Sequence, residues 1–167
     1  MARTIAAALD RFLELLRDAR TGFRAQLESI AARDRVSLRP VAGSSLLLLN
    51  ASPELVDQSC DVEYPQLLVY GEQMENLHRE KFAYFSGTLR LAAELRVSSE
   101  TNERLEADLH RYVEALLNVL DQATAEWESG LVYTGRYAVS WAPMRLGGHN
   151  FLQTARVSFV LDQFVAG

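Results

Sequence analysis

Five groupings of polar residues in this chain have the side-chain types that chemistry needs. The first is Gly147-Gly148-His149-Asn150, between apolar segments. A phosphate loop follows a strand and opens a helix whose free N–H groups face the anion. Here apolar alternation resumes at Phe151, and no Lys-Ser/Thr pair or third glycine follows, so the glycines predict a hairpin turn. The second is Cys60 with His149 and Asn150, the types of a Cys-His-Asn nucleophile set. Neighbouring positions are not the geometry of such a set, however, and Asn beside Gly-Gly is ordinary turn chemistry. The third, His78-Arg79-Glu80, matches the H-x-E half of a zinc-deaminase signature, but its P-C-x-x-C half is impossible in a chain with one cysteine. The fourth, Asp57, Asp61 and Glu63, has metal-ligand types without an EF-hand pattern. Neither of the other histidines, His110 and His149, belongs to an H-x₃-H pair. The fifth, Glu126 and Glu128, sits near an expected helix end, where a spacing of two sends the carboxylates to different faces. No set combines the chemistry with the spacing, so the sequence predicts no enzyme, no cofactor and no metal centre.

What remains is architecture. The 167 residues suit one domain, and 49% apolar against 23% charged residues is enough to build a core. The single cysteine excludes an internal disulfide. Ile5 to Leu9 is too short for a signal-peptide core, and Leu46 to Leu49 is far below the roughly 20 residues that span a bilayer, so a soluble protein is expected. Net charge is −5 but unevenly spread. Residues 1–40 carry eight Arg against five acids, residues 54–128 sixteen acids against six bases, and residues 129–167 three bases against one acid. The acidic middle argues against a nucleic-acid groove, which needs clustered Lys and Arg.

Apolar residues from Ile5 through Phe12, Leu16, Phe23, Leu27 and Ile30 recur at three- and four-residue spacing, which predicts an N-terminal helical segment over residues 1–35. Unbroken, it would run roughly 45 Å, against a radius of gyration of about 15 Å for a domain of this size. A break near Thr21-Gly22 is therefore expected. Val36–Arg39 and Ser45–Asn50 read as short strands, Ser52-Pro53 as a helix start, Gln66–Glu72 as a strand and Met74–Phe82 as a loop. Thr88–Val97 alternates strictly, giving one buried face and one left for water or a partner. Ser98-Ser99 reads as the cap of a long helix with Glu100 and Glu103 in its first turns, an apolar stripe from Leu105 to Leu120 extended by Trp127, and Gly130 as its stop. Residues 131–165 read as a long β-hairpin, with Tyr133, Tyr137, Val139 and Trp141 on one face of its first strand. The fold class is thus α+β: a mainly antiparallel sheet flanked by an N-terminal helix and a long amphipathic helix, closed by the hairpin, in a single domain. A long hairpin with exposed edges is a liability unless another chain covers it, which favours an assembly protein.

The order of these elements, with "YPQLLVYGEQ" (64–73), "GTLRLAAELRV" (87–97), "SSETNERLEADLHRYVEALLNVLDQ" (98–122) and the closing hairpin, resembles the tail terminator (tail completion) proteins of long-tailed bacteriophages, and more broadly their neck proteins. The resemblance covers roughly residues 60–165. It implies helices on a mainly antiparallel sheet and a homo-oligomeric ring, typically a hexamer, that caps the tail tube and meets the head-side connector (stopper) in the neck of the virion. It also implies sheet edges and hairpins at subunit junctions, and genomic DNA passing through the channel without specific binding. On this reading the interface residues are Arg145, His149 and Asn150 at the hairpin tip, with Tyr133 and Trp141 as anchors. The alternatives are another neck component, or a small α+β partner-binding module, dimeric through its N-terminal helix.

Overall fold

The computed structural model describes residues 5–51, 63–77 and 83–166. The N-terminal segment breaks where its length requires: α1 spans Ile5–Arg17 and α2 spans Phe23–Asp34. Asp18 organises the turn, its Oδ1 accepting from the Arg20 and Thr21 N–H groups and the Thr21 hydroxyl at 2.8–2.9 Å. Those donors hold its carboxyl below the usual range. Gly22 must be glycine, because a Cβ there would stand 2.3 Å from the Asp18 carbonyl oxygen. The third helix among the described residues, α3, spans Leu105–Gln122.

Among the described residues seven strands form one mostly antiparallel sheet, so the chain has an α+β fold. They are β1 (Leu46–Leu48), β2 (Gln66–Asn76), β3 (Ala83–Ser99), β4 (Glu126–Glu128), β5 (Leu131–Trp141), β6 (Arg145–Gly147) and β7 (Asn150–Ala166). Their order is β1-β2-β3-β7-β5-β4, with β6 extending the β5 side of β7, and only β1–β2 is parallel. The long C-terminal hairpin is present as β5–β6–β7. Its second strand lies in mid-sheet, paired with β3 over almost its whole length.

The helices α1, α2 and α3 contribute to a single core on one face of the sheet. Phe12 of α1 stacks on Trp127 and meets Phe159 of β7 edge-on, and Tyr133 of β5 closes the aromatic group. Above it, α2 and α3 are tied by Arg33, which donates to both oxygens of Glu114 at 2.5 and 3.0 Å, and by Arg111 to Asp34 at 2.9 Å. The Leu89–Val97 face of β3 is buried as expected. Its opposite face is not simply wet. There Arg96 is 1% exposed, pairs with Glu94 and donates to the Ala51 carbonyl, while Tyr70 donates to Glu94.

Several expected elements are corrected. Val36–Arg39 is not a strand; the Tyr112 hydroxyl takes the Arg39 carbonyl that a ladder would have used. Met74–Asn76 belongs to β2, because β3 is long enough to pair with it through Gly87. Ser98-Ser99 ends β3, opposite Leu152 and Phe151, and does not cap α3, which starts after Arg104 with Glu106 and Asp108 as its first-turn acids. The helix stops at Gln122; Trp127 joins the core from β4, and Gly130, at φ +77°, makes the β4–β5 turn. The helix start at Ser52-Pro53 lies outside the described residues.

Candidate functional site: the outer edge of the hairpin

Gly135, at φ +85°, sits in a bulge where the β5–β7 register shifts between Tyr133 and Tyr137. On the near side, β4 and the chain leading to it cover the outer edge of β5: Glu126 pairs with Val132, and Tyr133 N–H donates to the Ala125 carbonyl at 3.0 Å. Beyond the bulge no strand among the described residues lies outside Tyr137–Trp141. The direction of the free backbone groups follows from one bond. Ala142 N–H donates inward to Thr154 O at 2.9 Å, so the period-two alternation of a ladder turns Ser140 and Ala138 inward too. The N–H and C=O of Tyr137, Val139 and Trp141 therefore point outward.

The same three side chains lie on the helix-covered face, opposite Phe159, Val157 and Ala155. The helix layer does not reach far enough to bury them. Tyr137 is 44% exposed and Trp141 47%, and the stripe continues to Leu146 on β6, the most exposed large apolar residue described, at 70%. Val139, between Tyr137 and Trp141, is partly buried against the core, and the ring of His110 of α3 meets Trp141 edge-on at 5.6 Å. An unpaired edge joined to an apolar stripe can accept another strand and bury its side chains with it.

The five residues singled out from the sequence separate. Tyr133 is 1% exposed among Trp127 and Phe159, so it is a core residue that presents nothing to a partner. Burial, and then the nearby Asp121 carboxylate, push its phenol up to about 12. Trp141 is on the open edge. Arg145, His149 and Asn150 are exposed at the tip, where Gly147 pairs with Asn150 around a two-residue turn of Gly148 and His149. Gly148 has φ +70°, the conformation such turns reserve for glycine. The tip does not stand clear of the body, because β3 flanks β7 as far as Phe151. Sequence reasoning missed Leu146 and His110 as members of the site. Alternation marked Leu146 only as a residue near a turn, and nothing in the sequence brings α3 beside β5.

The chemical groupings do not assemble. Cys60, Asp57, Asp61 and His78-Arg79-Glu80 lie outside the described residues. Glu63 pairs with Arg39 at 3.0 Å. Glu126 and Glu128 are not at a helix end: they share the exposed face of β4, and Glu126 accepts from Gly130 N–H at 2.9 Å. No cluster of three or more His, Cys, Asp or Glu suited to a metal occurs among the described residues, and no helix among them is long and apolar enough to cross a membrane. A cleft of about 560 Å³ lies between the α1–α2 turn and residues 41–46, lined by Leu16, Phe23, Val41, Leu46 and Leu67 among the described residues. No known protein-family model matches the chain, and no curated protein sequence is significantly similar to it.

Proposed function

We propose that this chain is a structural subunit of a viral tail: a ring-forming terminator that caps the tail tube and joins it to the head-side connector, built in the host cytoplasm and carried in the virion. The observation that carries the reading is the open outer edge of the hairpin with its exposed stripe of Tyr137, Trp141 and Leu146. A surface of that kind is costly in a monomer and serves assembly. The element order, with helices on one face of a mostly antiparallel sheet, agrees with the resemblance to tail terminators. The mechanism is geometric. A closed ring presents one rim that stops further tube subunits and another that docks the connector, the hairpin tip with Arg145, His149 and Asn150 contributing to a rim. Exposed Glu100, Glu103 and Glu106, near the start of α3 at the same end of the sheet as the tip, supply the negative wall along which DNA passes without sticking.

The mass of the purified protein in solution, by light scattering after size exclusion with images of the same peak, tests this first. The monomer is 18.7 kDa; a ring of about six copies supports the reading. The double variant Arg145→Ala/His149→Ala is expected to keep the fold and lose tail completion, and unimpaired completion would remove the tip from the docking rim. The cleft beside the α1–α2 turn favours a second reading, a partner-binding module. A stable monomer or dimer that binds a ligand there, with binding lost in Phe23→Ala, would replace the ring.

A further inference from the structure

We infer that copies of this chain join head to tail by pairing β5 of one copy with β2 of the next, so that neighbouring sheets fuse into one. The inference rests on the assembly reading above and names its junction.

Apart from the outer edges of the three-residue strands β1, β4 and β6, two stretches of sheet edge are unpaired by any strand among the described residues. One is Tyr137–Trp141 of β5. The other is Tyr70–Asn76 of β2, because β1 covers only Leu67 to Val69. The second edge can be oriented as the first was. Leu77 N–H donates inward to Ser86 O at 3.0 Å, so Glu75 and Gln73 also face β3, and Met74 and Asn76 turn their backbone groups outward. Met74 lies opposite Leu89 and therefore on the helix-covered face, where it is 55% exposed.

Three geometric requirements for joining these edges are met together. Direction is the first: β2 is antiparallel to β3, β3 to β7 and β7 to β5, so β5 runs opposite to β2, and a neighbour in the same orientation offers an antiparallel partner. Facing is the second. On both edges the residues with outward backbone groups carry their side chains on the helix side, so pairing keeps the two helix layers on one face of the fused sheet. Complementarity is the third. Setting Val139 opposite Met74 brings Tyr137 against Asn76 and places Met74 between the two exposed aromatics, covering apolar surface on both copies.

Formal charge favours this junction over a two-fold pairing of β5 with itself. Strands β5 to β7 carry Arg136, Arg145 and Arg156 against Asp162, whereas β2 carries Glu72 and Glu75 and no base. Arg156 and Glu72 already pair within the chain. Arg136 and Asp162 pair within it as well, so the opposite sign of the two edges is one of formal count. A head-to-tail contact of two different surfaces closes into a ring when the rotation per copy permits, as a terminator requires.

The test uses the full chain in a Cys60→Ser background. One protein carries Val139→Cys and a second carries Met74→Cys; each is incubated alone and then mixed under mild oxidation. Facing residues of a hydrogen-bonded antiparallel pair stand about 5.5 Å apart at Cα, within disulfide reach. The mixture is expected to give a covalent dimer containing one of each, and each protein alone none. A covalent dimer of the Val139→Cys protein with itself would overturn the inference in favour of two-fold pairing. No covalent dimer in the mixture would overturn the junction outright. Val139→Pro is the companion variant. It removes an N–H that points outward and no bond to β7, so the monomer should fold while the ring peak is lost. A ring that survives with Val139→Pro sinks this junction and leaves the assembly reading standing. A wild-type chain that stays monomeric at every concentration sinks that reading, while the disulfide test still decides the junction.

Discussion

The two halves of β5 have the same sequence pattern and opposite environments. In Leu131–Tyr133, alternate residues reach the core: Leu131 is 2% exposed and Tyr133 1%. In Tyr137–Trp141, the same alternation leaves both aromatics nearly half exposed. The strand face does not change across the bulge at Gly135. What changes is the cover. Trp127 from β4, itself stacked on Phe12 of α1, reaches the first half, and β4 closes its edge. Past the bulge the cover thins: Val139 is partly buried against the core, and His110 meets the edge of Trp141. Alternation thus tells which way a side chain points, and long-range packing decides what it meets.

Truncation should separate the halves most sharply. Tyr133→Ala empties a site in the aromatic core and is expected to cost about 3–5 kcal/mol, the range for large aromatic truncations, read from the denaturant midpoint at unchanged slope. Trp141→Ala removes a half-exposed ring and should cost under about 1 kcal/mol of monomer stability, while weakening self-association. Equal stability losses at the two positions would mean that the second half is covered after all. A smaller effect is expected at the boundary between them. Gly135 adopts φ +85° with nothing nearer than Thr124 at 3.9 Å from where a Cβ would stand. Gly135→Ala should therefore cost only the conformational penalty, about 1–2 kcal/mol, in a thermal or denaturant melt. A larger loss would show that the bulge is packed and not merely bent.

Much of the fold was legible because local signals and the tertiary structure agree. The helix break near Gly22 followed from length and composition, and the Asp18 turn makes it. The α+β class, the β3 alternation, the α3 stripe and the hairpin with its glycine tip all follow from periodicity and turn chemistry. The losses have a common cause. Ser98-Ser99 has good capping chemistry, but sixteen residue pairings with β7 carry β3 through Ser99. Trp127 continues the helical spacing of α3, yet three residues, Glu-Trp-Glu, suffice for an edge strand that periodicity cannot detect. In the candidate site, the tip was found from Gly147-Gly148 and Trp141 from its alternation. Tyr133 was misplaced at the surface because its cover is Trp127 of β4 and Phe159 of β7, which no local pattern in the sequence brings together.

The subtlest difference between the halves lies in one oxygen atom. The Tyr133 hydroxyl is buried and has no hydrogen-bond partner, an arrangement that costs stability compared with an apolar ring of the same shape. Tyr133→Phe should therefore leave the monomer equally stable or raise its stability by up to about 1 kcal/mol. Alkaline pH sharpens the test. Burial raises the phenol in the folded chain from 10.0 to about 12, so the folded state favours the neutral form more than the unfolded state does. Its contribution is present in full below pH 10 and is lost as pH rises toward 12. The wild-type chain should lose stability across that window, and Tyr133→Phe should lose less, the difference being the share of this one phenol. If the two decline in parallel, the Tyr133 hydroxyl reaches water or a hydrogen-bond partner in the folded protein, and the sealed half of β5 is more open than its packing indicates.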